Sequence, residues 1–98
     1  MQFIVTGYDG KDAGAYERRI AAREAHLKSA REMYLDKKAL HVAALVDEAG
    51  KMIGSVMIVE FDSEEALREE WLSKEPYVVG NVWAEVRIDP CKVPPFCR

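Results

Sequence analysis

The sequence predicts an α+β domain of ferredoxin-like type, with element order βαββαβ and a four-stranded antiparallel sheet carrying two helices on one face. Three observations predict it. Four strand-like apolar runs occupy residues 2–8, 40–46, 52–61 and 81–88. Two stretches of helical spacing, 16–36 and 62–73, fall after the first and third runs. The 98 residues suffice for one compact domain and not for two, so residues 1–98 are a single domain, with 90–98 an extended C-terminal tail.

In the first run Phe3, Ile4 and Val5 are good strand formers and Gly7 closes the dense part. Asp9-Gly10-Lys11-Asp12 has turn chemistry. From Tyr16, the residues Tyr16, Ile20, Leu27, Ala30 and Tyr34 recur at helical spacing and define a core-facing arc, with Arg18, Glu24, Lys28, Arg31 and Glu32 elsewhere on the wheel. Leu40 to Val46 and Met52 to Phe61 form a hairpin about Asp47-Glu48-Ala49-Gly50-Lys51, where Gly50 supplies a positive φ. Asp62 is the expected N-cap of the second helix and Glu65 completes a capping box. Ala66, Leu67, Trp71 and Leu72 follow, and the helix fades by Ser73 or Lys74 because the residue before Pro76 resists the helical region. Asn81 to Ile88 is the last strand, and the tail begins at Pro90.

Right-handed crossovers place both helices on one sheet face. The other face needs a cover, because Val56 and Ile58 oppose Ile53, Met57, Val59 and Phe61 in the third run, and 42–46 is apolar on both sides. A second copy of the same sheet is the simplest cover, which predicts a homodimer through the sheet face. Net charge is −3 with both signs mixed along the chain, so no basic stripe points to nucleic acid. The 49% hydrophobic and 32% charged content is that of a soluble globular protein. The absence of a spanning-length apolar run argues against a membrane, and the N-terminal residues lack signal-peptide character, so a cytoplasmic location is expected. Cys91 and Cys97 are expected as free thiols in a reducing compartment, and they have no ligand spacing to the histidines, so no metal is expected.

Two short stretches carry ionisable groups that patterning does not require. Arg23 falls near the middle of the helical arc and His26 on its edge. A guanidinium there either forms a structural ion pair, with Glu60 or Glu85 as partners, or receives an anionic substrate group. Imidazole accepts and returns protons near neutral pH, whereas His41 at the start of the second strand has no comparable neighbour and reads as structural. In Lys74-Glu75-Pro76-Tyr77-Val78, Pro76 starts a helical turn that Glu75 precedes or caps. Alternatively, Pro76 fixes the backbone so that Glu75 orients the His26 ring, as the acid does in a triad. Tyr77 and Ser55 are further candidates for lining a pocket.

These stretches resemble the YciI-like family of small dimeric α/β-barrel proteins. The likeness spans nearly the whole chain: R-x-x-H-L at Arg23 to Leu27, Gly54-Ser55 followed by an apolar strand ending in Glu60-Phe61, an acidic helix start with a Trp from Ser63 to Trp71, and Glu75 to Val78 as an acidic-Pro-Tyr-Val module. The resemblance implies a ferredoxin-like fold and a pseudo-barrel dimer. It also implies a catalytic pair formed by the helix histidine, here His26, and the acid of a D-P-Y module, here Glu75 in place of aspartate. Relatives act on small cyclic or chlorinated aromatic-derived substrates by isomerisation or by eliminating hydrogen chloride.

The reading is a cofactor-independent lyase or isomerase acting on a small anionic metabolite. His26 serves as general acid/base, Glu75 as its orienter and Arg23 as the anion anchor, with Ser55 and Tyr77 lining the pocket. The alternative is a non-catalytic dimeric module that binds a small molecule. A haem- or quinone-handling role, as in other dimeric α/β barrels, is the third.

Overall fold

A computed structural model describes residues 1–97. Strands β1 (Gln2–Asp9), β2 (Ala39–Val46), β3 (Met52–Glu60) and β4 (Trp83–Cys91) form one antiparallel sheet in the order β2-β3-β1-β4. Among the described residues there are three α-helices: α1 (Ala15–Leu35), α2 (Glu64–Glu70) and the one-turn α3 (Pro76–Val79). Single 3₁₀ turns lie at Leu72–Lys74 and Pro95–Cys97. The expected βαββαβ order is therefore present, with the second helical stretch divided into α2 and a 3₁₀ turn, and the turn expected from Pro76 present as α3.

The register assigns the two sheet faces. Phe3, Val5 and Gly7 pair with Val59, Met57 and Ser55 on the helix-covered face, and all six are buried. The opposite face carries Ile4, Thr6 and Tyr8 beside Ile58, Val56 and Gly54, with Ala43 and Leu45 of β2 alongside. On β4 the same face turns polar, because Asp89, Arg87 and Glu85 pair with Ile4, Thr6 and Tyr8. The core under the helices is Phe3, Val5, Met57, Val59, Leu67, Trp71, Leu72, Tyr77, Val82 and Trp83, joined by Ala30 and Ala39.

Helix α1 is rotated from the expected arc. Its buried residues are Ala15, Arg19, His26 and Ala30, with Ala22 and Met33 partly buried against the core. Ile20, Leu27 and Tyr34 are exposed, at 48%, 43% and 59%, and Arg23 is exposed as well. The offset from 20 and 27 to 19 and 26 is one residue, about 100° on the wheel. The physical reason is the make-up of the inward face: alanines at 15, 22 and 30 leave room between them for the long side chains of Arg19, His26 and Met33. Large apolar residues remain outside, and apolar spacing alone selects the wrong arc. Arg23 is thereby corrected from the middle of the inward face to the outside, and Arg19 takes the buried position.

Helix boundaries otherwise follow local chemistry. Ser63, rather than Asp62, caps α2, because its hydroxyl accepts from Ala66 N at 3.0 Å, and Glu65 then falls at the second helical position, outside a capping box. Gly50 adopts φ +83° in the β2–β3 turn, which Asp47 closes by accepting from Ala49 N and Lys51 N. β4 begins later than expected because Asn81 takes a left-handed conformation, φ 55°. It also runs through Pro90, since β4 is an edge strand and a missing N–H is tolerated there. Cys91 is half-buried, which pushes its thiol pKa up, and Cys97 is exposed; both are free.

The loop that joins β1 to α1 is held from both sides. Arg18 donates to both Asp12 oxygens at 2.8 Å and, through Nε, to Asn81 O at 3.0 Å. The Arg18 hydrogen bonds hold the Asp12 carboxyl down at about 2, below its ordinary 3.8. A depressed carboxyl stabilises the fold above its unfolded pKa and loses that contribution as pH falls through the folded value. Asp12→Asn should therefore lower stability at pH 6 and by distinctly less at pH 2, where the folded carboxyl is half protonated, as read by paired urea melts. An equal difference at both pH values would show that the charge pair contributes nothing.

Candidate functional site

Glu75 occupies the junction between the 3₁₀ turn and α3. As the residue before Pro76 it is extended, φ −61° and ψ 127°, and with proline at the first helical position it becomes the N-cap of α3. Its Oε1 accepts from Tyr77 N at 3.2 Å and its Oε2 from Trp71 Nε1 at 3.1 Å. The same Oε1 lies 2.5 Å from His26 Nδ1. The capping and ring-orienting readings of Glu75 thus describe one side chain. Both partners are buried, with side-chain exposures of 4% for His26 and 0% for Glu75.

A carboxylate only accepts, so Nδ1 is the donor, and in the neutral ring Nε2 carries the lone pair. Nε2 has no protein partner among the described residues. The imidazole stacks on the Tyr77 ring at 3.9 Å between centroids and 13° between planes, and meets the Trp83 edge at 6.0 Å. Burial raises the Tyr77 phenol pKa above its ordinary 10, against the smaller opposing influences of Arg19 and Arg23, so the phenol stays protonated at neutral pH.

A second buried cluster adjoins the first. Arg19, 2% exposed, donates from Nη1 to both Asp9 oxygens at 2.9 and 3.0 Å. Its Nη2 donates to Gly54 O and Ser55 Oγ, each at 3.0 Å, and its Cζ lies 4.7 Å from the Tyr77 ring centroid. Ser55 Oγ also accepts from Trp83 Nε1 at 3.3 Å. Trp83 reaches there because its indole lies flat over Gly7: a Cβ at Gly7 would sit 2.3 Å from Trp83 Cδ2. Asp9 is raised from 3.8 because burial outweighs the attraction of Arg19.

Of the residues expected from sequence, His26, Glu75, Tyr77 and Ser55 come together in this buried array. Arg23 stays outside the packed array, though its charge is felt at the Tyr77 phenol. His41 is exposed. Sequence reading missed Asp9, Arg19, Trp71 and Trp83. Two signals were present: Arg19 precedes His26 by two helical turns, and Trp71 precedes Glu75 by one. A cavity of about 620 Å³ opens between the β1–α1 loop and the β2–β3 turn, lined by Asp9, Tyr8, Tyr16, Lys11, Lys51 and Ile53 among others. It reaches the network at Asp9, and His26 does not line it. Among the described residues no cluster of three or more His, Cys, Asp or Glu has metal-binding geometry, and no helix is long and apolar enough to cross a membrane.

The hydrogen-bond pattern makes a spectroscopic prediction. Nitrogen-15 correlation spectra of the neutral His26 ring should show the Nδ1–H tautomer, with Nε2 unprotonated. An Nε2–H tautomer would contradict the assignment of Nδ1 as donor to Glu75.

The YCII-related domain profile matches residues 1–92. The protein YciI of Shigella flexneri is 30% identical over 98 residues, covering 94% of this chain and 97% of that protein. An uncharacterized Haemophilus influenzae protein is 32% identical over 83 residues, covering 78% and 83%. Among solved structures, 5-chloro-2-hydroxyhydroquinone dehydrochlorinase (TftG) of Burkholderia phenoliruptrix AC1100, in complex with 2,5-dihydroxybenzoquinone, superposes with a TM-score of 0.80 at 19% identity, covering 98% of each chain. The expected ferredoxin-like fold agrees with that superposition. With nearly its whole length matched by the profile and by YciI, this chain belongs to the YCII-related domain family.

Proposed function

We propose that the protein is a cofactor-independent lyase or isomerase that moves a proton on a small anionic metabolite in the cytoplasm. The observation that carries the reading is the buried His26 Nδ1–Glu75 contact at 2.5 Å, which commits one ring nitrogen to a carboxylate and leaves the other for chemistry. His26 Nε2 takes a proton from a substrate C–H or O–H, and Glu75 stabilises the imidazolium that results. Returning that proton to another substrate atom completes an isomerisation. Passing it out while the substrate expels chloride completes an elimination of hydrogen chloride, so neither route needs a co-reactant. The dehydrochlorinase activity named for TftG supports this class, and its ligand suggests hydroxylated quinoid or quinol rings as substrates.

The other site residues have graded parts in this reading. Tyr77 Oη, without a described protein partner, is the donor available to a substrate oxygen. Arg23 sits outside, where a mobile guanidinium can meet an incoming anion. Ser55 is engaged by Arg19 and Trp83 and supports the pocket from within. A non-catalytic binding role is the second reading, favoured by the near-complete burial of His26.

Chloride release from 5-chloro-2-hydroxyhydroquinone and solvent-deuterium uptake by enolisable carboxylic acids test the proposal. His26→Ala should reduce turnover by roughly 10²–10⁴-fold while the protein remains folded, the range typical of a lost general acid/base. Unreduced turnover in that variant would refute the role. A ligand that binds and is recovered chemically unchanged would favour the binding module.

The same proposal includes a homodimer through the sheet face opposite the helices, where Ile4, Val56, Ile58 and Leu45 form an apolar centre. Ile58→Glu should convert a dimer to a monomer in sedimentation-velocity experiments. A wild-type monomer, or a variant that stays dimeric, would exclude this interface.

A further inference from the structure

We propose that Arg19 is a positioning residue for His26, acting through the Tyr77 ring; this rests on the acid/base reading of His26. One hydrogen bond to Glu75 restrains the imidazole at Nδ1 but does not by itself fix both side-chain torsions that set the ring plane. The direction of Nε2 depends on that plane. Tyr77 supplies the plane, because the imidazole lies 3.9 Å from its ring at 13°. The phenol has no described partner at its hydroxyl, so the ring is held at its faces.

Arg19 is the holder. His26 and Arg19 are seven residues apart on α1, about 10.5 Å along the axis, and the two side chains converge on Tyr77 from positions two turns apart. The imidazole stacks on the ring at 3.9 Å between centroids, and the guanidinium carbon lies over the same ring, 4.7 Å from its centroid. The guanidinium is itself immobile. Its two terminal nitrogens are fixed by Asp9, Gly54 O and Ser55 Oγ, contributed by β1 and β3. Rigidity thus passes from the sheet to Arg19, to the Tyr77 ring, and on to the imidazole plane.

A buried ion pair is weak evidence for stability, and well-packed apolar residues often serve as well or better. Arg19 Nε is the one buried side-chain polar atom without a hydrogen-bond partner among the described residues. An arginine kept in the core with an unsatisfied nitrogen is explained by what its planar, charged face does to Tyr77. Lysine, a point charge without the fork, cannot reproduce it.

The test reads the His26 ring directly, so it does not depend on knowing a substrate. In the wild type the His26 carbon-bound ring protons should be displaced by the Tyr77 ring current. Arg19→Gln and Arg19→Lys should both move them towards random-coil positions while methyl dispersion stays native-like. Tyr77→Phe, which keeps the ring, should leave them displaced, and Tyr77→Leu should abolish the displacement. If Arg19→Gln does not fold, Asp9→Asn, which retains size and releases the guanidinium from its charge partner, takes its place with the same expected shift. Unchanged His26 signals in a folded Arg19→Gln or Asp9→Asn protein overturn the proposal. With a turned-over substrate, Arg19→Lys should lower kcat tenfold or more at unchanged KM, as misalignment of a reacting group does. Full turnover by His26→Ala would instead remove the acid/base reading, and the ring signals would still report whether Arg19 sets the plane.

Discussion

The organisation of the helical layer depends on one constraint, the burial of the Glu75 carboxylate. A carboxylate withdrawn from water is costly unless donors replace its hydration. Three donors do so here, and each comes from a different segment: Trp71 Nε1 from the end of α2, Tyr77 N from α3 and His26 Nδ1 from α1. Satisfying one side chain therefore fixes where three helical segments stand relative to one another. The break at the 3₁₀ turn, imposed by the residue before Pro76, sets Glu75 among these three donors. A continuous helix through Pro76 would carry Glu75 past the position where Trp71 and His26 converge.

The sheet side is arranged by a complementary demand, that of the Arg19 guanidinium. Asp9, Gly54 O and Ser55 Oγ meet it from β1 and β3, and Trp83 closes over Ser55 from β4. That closure requires bare backbone at Gly7, where the indole occupies the space of a side chain. The alanines of α1 leave room for both clusters beside one aromatic ring. Tyr77 stands between them, so the small core has a polar seam crossed by a single phenol. In a domain of 98 residues, such a seam occupies room that apolar contacts would otherwise fill.

Much of this was legible in the sequence, and the reasons differ by element. Strand runs such as Phe3-Ile4-Val5 and the Gly50 turn are local, so propensity and backbone freedom suffice to place them. His26 and Glu75 could be paired because Pro76 dictates an extended Glu75 and a helical turn after it. The inward face of α1 was not legible. Its contacts with the sheet are made by alanines and two polar residues, while Ile20, Leu27 and Tyr34 offer a stronger apolar signal on the outside. Arg23 was favoured over Arg19 because it lay within that apolar arc and in the R-x-x-H-L stretch with His26. The roles of Asp9 and Trp83 depend on cross-strand register with Ser55, which no short-range pattern encodes.

The acid of the Glu75-Pro76-Tyr77 module serves both the cap and the imidazole through its length. Glutamate is a poor N-cap residue, since its extra methylene carries the carboxylate past the first turn's N–H groups. Accordingly the bond from Tyr77 N is long, 3.2 Å, while the contact to His26 is 2.5 Å and the carboxylate extends far enough to meet Trp71 as well. The carboxylate thus meets the imidazole more closely than the backbone it caps. Pro76 makes this affordable to the backbone, because a proline at the first helical position removes one of the N–H groups that a stronger cap would have to satisfy. One carboxylate thus serves as a weak cap on a one-turn helix and as a close partner for His26.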